Sequence, residues 1–291
     1  MDYRDFRYDG SVHFDIDKCP TSLKVDKSEK RHYRELTAEN TASMAELQEK
    51  LYARGTEGLV ILLQAMDAAG KDSTIKHVMS GVNPQGVEVS SFKNPTKLQL
   101  AHDYLWRAVL CLPERGHIGI FNRSYYEDVL VVRVRELWKG YQWPERCCDM
   151  DEEEFFARRY RQITDFEEYL YENGYRLCKI FLNVGLDEQK KRFLDRIDDE
   201  SKHWKFSSSD IAERKLWPDY MKAYEAAIRG TATKHAPWYV IPADQKWVMR
   251  YLVSEAIVAA LEECEASYPT IDAAEEAALA ESRAWLVGGE G

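Results

Sequence analysis

The stretch Leu59-Val60-Ile61-Leu62-Leu63-Gln64-Ala65-Met66-Asp67-Ala68-Ala69-Gly70-Lys71-Asp72-Ser73-Thr74-Ile75 decides the fold. Its opening run is continuously apolar rather than alternating, as suits a parallel strand buried on both faces. A short loop follows, then Gly-Lys, then helix-like spacing over 71–79. Strand, loop and helix in that order are the setting of a phosphate loop. Backbone N–H groups and the helix N-terminus face the phosphates, and a lysine adds a point charge. Gly70 lacks a Cβ and lets the backbone approach closely. The strict pattern G-x-x-x-x-G-K-[ST] is not met: position 65 is Ala, and Asp72 takes the Ser/Thr place with Ser73 and Thr74 behind it. A plain βα turn with Asp72 as a first-turn helix acid shares these features. Asp67 reads in two ways. A carboxylate beside a phosphate loop repels phosphate unless a metal lies between, and Mg²⁺ takes one or two carboxylates with phosphate oxygens and water. Asp67 is therefore a metal-facing acid or a simple loop cap.

Working outward, further apolar runs occupy Val87–Phe92, His117–Phe121, Leu177–Val184 and Trp238–Ile241. Helix-like spacing covers 71–79, 96–110, 151–173, 187–198, 208–229 and 246–265, and Leu36, Met44, Leu47 and Leu51 mark another helix over 31–53 that Gly55 and Gly58 close. Strands alternating with helices predict an α/β fold: a parallel sheet with helices on both faces. Residues 1–30 read as a polar arm, extended along the body or partly mobile. The Ala/Glu-rich end after Pro269 reads as a final helix with a loose GGEG terminus.

The run His117-Ile-Gly-Ile-Phe121-Asn122-Arg123-Ser124-Tyr125-Tyr126-Glu127-Asp128 repeats the theme of an apolar strand ending in polar residues. In open parallel sheets that edge holds the ligand. The fork of Arg123 suits phosphate oxygens. Glu127 and Asp128 could orient metal, water or nucleotide. Neighbours on a helix diverge by about 100°, so one of the two points into the site. Arg133 and Arg135 continue the basic character. Residues 188–234 hold eleven bases and nine acids. Arg196, Lys202, Lys205 and Arg214 in this segment could close over phosphates as a lid, with Ser208 or Ser209 as the cap of the helix that follows. An exposed helical hairpin is the plainer alternative. Trp204, Phe206 and Trp217 interleave with the bases, but the near balance of charge disfavours single-strand nucleic acid.

The chain has 291 residues, with 40 Lys+Arg against 50 Asp+Glu, a formal charge of −10. Taken whole, that charge opposes a polyanionic partner. However, residues 262–291 carry eight acids and one base, or −7, which leaves −3 for residues 1–261. No apolar run is long enough to span a membrane, and no secretory h-region is visible at the N-terminus. A cytoplasmic protein with reduced thiols is expected, the six Cys showing no C-x-x-C pair. Cys147 and Cys148 read as inert. His203 and His235 lack partners at zinc-ligand spacing.

Together these residues resemble the polyphosphate kinase 2 family, and most closely its class III branch. The resemblance rests on A-M-D-A-A-G-K-D-S-T-I-K-H-V-M-S-G-V-N-P-Q-G (65–86), F-N-R-S-Y-Y-E-D-V-L-V-V-R-V (121–134), H-W-K-F-S (203–207) and A-P-W-Y-V-I-P-A-D-Q-K-W (236–247). It implies an α/β/α three-layer sandwich with a parallel five-stranded sheet, of thymidylate-kinase-like P-loop architecture with a helical lid over 202–229. The catalytic domain would span 31–268, between an N-terminal arm (1–30) and an acidic tail (269–291). The resemblance implies phosphoryl transfer from inorganic polyphosphate to AMP and ADP, reversible and dependent on Mg²⁺, with Mn²⁺ as a substitute. Asp67, Lys71 and Asp72 become Walker A positions and Arg123 the essential Arg of the second motif. Asp67, Lys71, Arg123 and Glu127 are then catalytic. Ala68, Ala69, Gly70, Lys71, Asp72, Ser73, Thr74, Arg133, Arg196, Lys202 and Lys205 would meet phosphates. Asn83, Asn122, Arg123, Glu127 and Asp128 would meet the nucleotide, and Asp67 and Asp128 the metal. Glu127 stands where the ADP-specific class has Asn, which implies use of both AMP and ADP. Ser73 replaces a common Gly, and Thr231-Ala232-Thr233 replaces Thr-Ser-Thr. A homo-oligomer, dimer or tetramer, is expected, without DNA, RNA or membrane partners. An ATP-dependent nucleoside monophosphate kinase and a non-catalytic polyphosphate-binding protein are the rival readings.

Overall fold

A computed structural model describes residues 1–141, 144–147 and 150–288. Six strands, β1 (Arg7–Tyr8), β2 (Gly58–Gln64), β3 (Val87–Ser91), β4 (Ile118–Asn122), β5 (Tyr175–Asn183) and β6 (Trp238–Pro242), form one sheet in the order β1-β6-β5-β2-β4-β3. The five long strands are parallel and fall where the apolar runs predicted them. The expected five-stranded sheet gains a sixth member from the N-terminal arm. β1 lies antiparallel on β6, with Arg7 opposite Tyr239 and Tyr8 opposite Trp238. Two residues are too short to show a period, which is why sequence reading passed over β1.

The helices are α1 (Lys30–Arg54), α2 (Lys71–Val78), α3 (Lys97–Leu100), α4 (Trp106–Val109), α5 (Val131–Val134), α6 (Glu152–Glu172), α7 (Leu186–Ile197), α8 (Ser208–Arg214), α9 (Trp217–Thr231), α10 (Lys246–Glu262) and α11 (Ala273–Gly288). The central strand β2 is buried at all seven positions, so it needs cover on both faces. Adjacent residues of β5 show how that is met, because neighbours on a strand point to opposite faces. Cys178 points to α10, donating to the Ala256 carbonyl, while Lys179 points to Glu167 of α6. α1 and α2 pack with α10, and α9 packs with α6, which completes the three layers. The core between them includes Leu59, Ile61, Phe121, Phe156, Phe181 and Trp238, each under 2 % exposed. Burying an aliphatic or Phe side chain of this size contributes roughly 1.5–3 kcal/mol.

Local signals set the boundaries. Asp26 and Glu29 form a capping box ahead of α1, and Gly55 ends it at φ 64°. Asp151 caps α6, whose first turn carries Glu152, Glu153 and Glu154 against the helix dipole. The expected helix over 208–229 is two helices, because Pro218 starts a new one at α9. Ser207, not Ser208 or Ser209, caps α8 by accepting from Ser209 N. The expected helix over 96–110 is the two short turns α3 and α4.

The arm is laid along the body. Thr21 Oγ1 donates to Asp244 at 2.8 Å, Leu23 N to Gln245 at 3.0 Å, and Asn183 Nδ2 to the Cys19 and Pro20 carbonyls. The predicted terminal helix is present as α11, with no buried residue. The GGEG end beyond Gly288 and Cys148 lie outside the described residues. No helix among the described residues is long and apolar enough to cross a membrane.

Candidate active site

β2 and β4 are neighbours with Leu63 opposite Asn122, so the loops leaving their carboxyl ends meet. The first loop turns tightly, with Ala68 at φ 61° and Gly70 at φ 112°. A Cβ at Gly70 would sit 3.3 Å from Ser73 Oγ, in a backbone region L-residues rarely adopt. Lys71 folds back across the loop, its Nζ donating to the Ala65 carbonyl at 2.8 Å and the Met66 carbonyl at 3.4 Å. Burial lowers the Lys71 pKa to about 8, and Arg123 adds to the shift, while Asp67, Glu127 and Asp72 oppose it.

Arg123 enters from the second loop. It holds φ 64°, a strained setting for a residue with a side chain, and its N–H donates to the Leu63 carbonyl at 3.0 Å. That places the guanidinium between two carboxylates: Nη2 to Asp67 Oδ1 at 2.7 Å and Nη1 to Glu127 Oε2 at 3.2 Å. Glu127, and then Asp67, raise its pKa further above the ordinary arginine value. Glu127 is itself held by Gln64, the last residue of β2. That amide donates to Glu127 Oε1 at 3.0 Å and accepts from Ser124 N and Oγ. Asn122 Nδ2 donates to Asp72 Oδ1 at 2.6 Å. Asp67, Lys71, Asp72, Asn122, Arg123 and Glu127 thus share one site. Two cations lie among carboxylates that an incoming phosphate can displace.

Of the other expected site residues, Asp128, Asn83 and Arg133 lie away from the loop. Asp128 is 7 % exposed, pairs with Arg159 Nε at 2.7 Å and accepts from Tyr141 OH at 3.1 Å. Burial raises its pKa against the pull of Arg159. Of the adjacent pair, Glu127 is the one aimed at the loop, so Asp128 is corrected from nucleotide or metal contact to an internal ion pair. Asn83 precedes β3, at the end of the sheet away from the loops. It exchanges two 2.9 Å hydrogen bonds with Gln48 of α1, and its side chain caps the turn at Gln85. Arg133 is engaged by Glu152 at 3.2 Å and Tyr160 OH at 2.9 Å, over the Phe156 ring. Thr74 is 1 % exposed and donates to the Gly70 carbonyl, as does Ser73; the Ala69 N–H bonds the Met66 carbonyl. Ala68 and Gly70 therefore shape the loop, and the Ala69 N–H and the Ser73 and Thr74 hydroxyl protons are committed within it.

In the segment expected to form a lid, Lys202 pairs with Asp199 at 2.6 Å and Lys205 lies 4.8 Å from the Trp204 ring centroid. Arg196 reaches Asp210 of α8 at 3.4 Å. Burial, and then Asp67, push the Asp210 carboxyl up. Sequence reading missed Arg192, 5 % exposed, which donates to the carbonyls of Ala68 (3.1 Å), Ala69 (2.6 Å), Ala243 (2.7 Å) and Asp244 (3.0 Å). It also missed Gln189, whose Nε2 donates to the Asp67 carbonyl at 2.9 Å. Their spacing of three, on the inner face of α7, was the signal that could have found them.

A family model described as "Polyphosphate kinase 2 (PPK2)" matches residues 27–269. The chain belongs to the polyphosphate kinase 2 family. Within that family it is 43% identical over 285 residues to an ADP-polyphosphate phosphotransferase of Rhodopseudomonas palustris, covering 98% of each chain. It is 47% identical over 233 residues to an AMP/ADP-polyphosphate phosphotransferase of Meiothermus ruber, covering 80% of this chain and 82% of that one. The crystal structure of polyphosphate kinase 2 from Arthrobacter aurescens TC1 superposes with a TM-score of 0.82 at 39% identity, covering 97% of both chains. The fold is accordingly that of a polyphosphate kinase 2 P-loop kinase, and the chain is an enzyme of phosphoryl transfer.

Proposed function

We propose that this polyphosphate kinase 2 moves phosphoryl groups from inorganic polyphosphate to AMP and ADP, giving ADP and ATP, in a reversible reaction. The convergence of Lys71 and Arg123 on one loop carries this reading, and the names of the two relatives support the substrates. A terminal P–O–P bridge of the donor breaks as a P–O bond forms to a phosphate oxygen of the acceptor. Such transfer needs positioning and charge stabilisation more than covalent help from the protein. Lys71 and Arg123 grip the moving phosphoryl group. Asp67 and Glu127 hold the Arg123 fork in place until phosphate oxygens take it over. The acceptor phosphates lie at the 65–74 loop and the polyphosphate chain runs along the lid, past Arg196, Lys202 and Lys205.

The site also fits a hard divalent ion. Asp67 offers one carboxylate, as Mg²⁺ needs when phosphates and water complete its shell, and no group of three or more His, Cys, Asp or Glu side chains placed to hold a metal ion occurs among the described residues. Mg²⁺, or Mn²⁺ in its place, would supply charge neutralisation between the two phosphate chains, held by Asp67.

The proposal includes an arm (1–30), a catalytic domain (31–268, lid 202–229) and a tail (269–291), which the family match over 27–269 supports. It also includes a cytoplasmic location, no nucleic-acid or membrane partner, and a homo-oligomer. The open edge strand β3, with Val89, Leu98, Leu100, Val109 and Leu110 exposed at and after it, supports self-association. The test is ATP formation by purified protein from polyphosphate, Mg²⁺ and either AMP or ADP. Turnover with both supports the reading of Glu127; turnover with ADP alone removes it. Turnover only with ATP as donor would establish the monophosphate-kinase alternative instead.

A further inference from the structure

Helix α7 presents Gln189 and Arg192 one turn apart, both buried and both bonded to the backbone of the phosphate loop. They differ in what lies on their other side. Arg192 ties the loop to the Ala243 and Asp244 carbonyls, just after β6. Gln189 ties it to the lid. Its Nε2 donates to the Asp67 carbonyl at 2.9 Å, and its Oε1 accepts from Arg214 Nη1 at 2.8 Å. Arg214 sits at the end of α8 and also donates to the Leu186 carbonyl at 2.8 Å. Its guanidinium is therefore bound to α7 rather than held out for phosphate, as the sequence had suggested. α8 is also anchored through Asp210 on Arg196 and Glu213 on Arg135 and Tyr220.

The chemistry of a primary amide gives this chain of bonds a direction. Arg214 has only donors, so it can meet only the oxygen end of the Gln189 amide. That leaves the NH₂ end facing the Asp67 carbonyl, which can only accept. With Arg214 withdrawn, one of the two bonds that fix the amide is gone, and only the Asp67 carbonyl still holds its NH₂ end.

We propose that Gln189 and Arg214 are positioning residues that couple the lid helix α8 to the phosphate loop, so that a docked lid fixes Asp67 and its neighbours for phosphoryl transfer. The role in transfer rests on the function proposed above; the mechanical coupling does not. Four variants, Arg214→Ala, Gln189→Glu, Gln189→Ala and the double Gln189→Ala/Arg214→Ala, separate the cases. Gln189→Glu keeps an acceptor for Arg214 but cannot donate to Asp67. Amide hydrogen exchange across residues 65–72, read by mass spectrometry on substrate-free enzyme, should rise severalfold in all four. With polyphosphate and ADP, kcat should fall about three- to tenfold, as expected for one lost positioning bond. The double variant should be no worse than Gln189→Ala alone, since both lesions break one relay. Arg214→Lys, able to keep one acceptor, should recover part of the loss.

Unchanged loop exchange in Arg214→Ala, or losses that multiply in the double variant, would overturn the coupling. Arg214 is only half-buried on a lid helix, so its variant carries the test even where a Gln189 variant fails to fold. A wild-type protein with no polyphosphate-driven turnover would defeat the functional proposal, while exchange alone would still decide the relay.

Discussion

Lys71 combines a buried setting, a lowered pKa and a reach that spans its own loop, and each has a measurable consequence. Its folded pKa, about 8, lies below the ordinary lysine value near 10.4 that the unfolded chain would show. Between those pH values the unfolded state binds more protons, so stability rises with pH across that window, and the penalty is present in full below pH 8. Lys71→Met should remove that penalty. We expect it to raise stability at pH 7 by on the order of 1–3 kcal/mol in urea unfolding, and to flatten the rise between pH 8 and 10. The same variant should lose nearly all turnover, because no other ammonium is placed on the loop among the described residues. The activity profile follows with its own sign. The free enzyme loses the Lys71 proton as pH climbs past about 8, so kcat/KM for polyphosphate should fall there. Bound phosphates favour the charged form, so kcat should hold to a higher pH. Equal midpoints for the two profiles would remove Lys71 from the phosphate contact.

Two elements, β5 and α6, meet beneath the site through a polar network that charge counting along the chain could not reveal. Lys179 and Glu167 are both fully buried, 2.6 Å apart. Lys179 also donates to the Thr231 carbonyl at 2.8 Å and Tyr126 OH at 3.2 Å, and Tyr125 and Tyr126 both donate to Glu167. Burial lowers the Lys179 pKa and lifts both phenols well above the ordinary range, so the tyrosines remain neutral donors. Lys179→Met leaves the Glu167 carboxylate buried without its cation and should cost roughly 3–5 kcal/mol by urea midpoint. Adding Glu167→Leu should restore much of that loss; a double variant as unstable as the single would mean that packing, not charge, sets the cost. The contrast explains what sequence could show. Continuous apolar runs announced β2 to β6, and Lys71 and Arg123 were legible because each follows a strand end. Gln64, Gln189, Arg192 and Lys179 were not, because a polar residue beside apolar ones reads as solvated until a partner distant in sequence is known. Glu127 and Asp128 stayed ambiguous for a related reason: only the short 3₁₀ turn from Tyr125 to Asp128 decides which faces the loop.

For the molecule as a whole, charge is unevenly placed, and the total misleads about a polyanion substrate. The site sets Lys71 and Arg123 among carboxylates, while the final thirty residues carry −7 of the −10. The last helix, α11, has no buried residue, so it contributes field rather than packing. Removing residues 270–291 deletes Asp272, Glu275, Glu276, Glu281 and Glu290 against Arg283, a change of four negative charges. Thermal stability and kcat should stay at the level of the full chain. At low ionic strength the KM for polyphosphate should fall, by up to about threefold, because the long-range repulsion of the chain weakens. Near 0.15 M salt the Debye length is about 8 Å, and the difference should vanish. A salt-independent change in KM would place the tail in direct contact with the polyphosphate path, and a lower melting temperature would show that α11 packs on the body in solution.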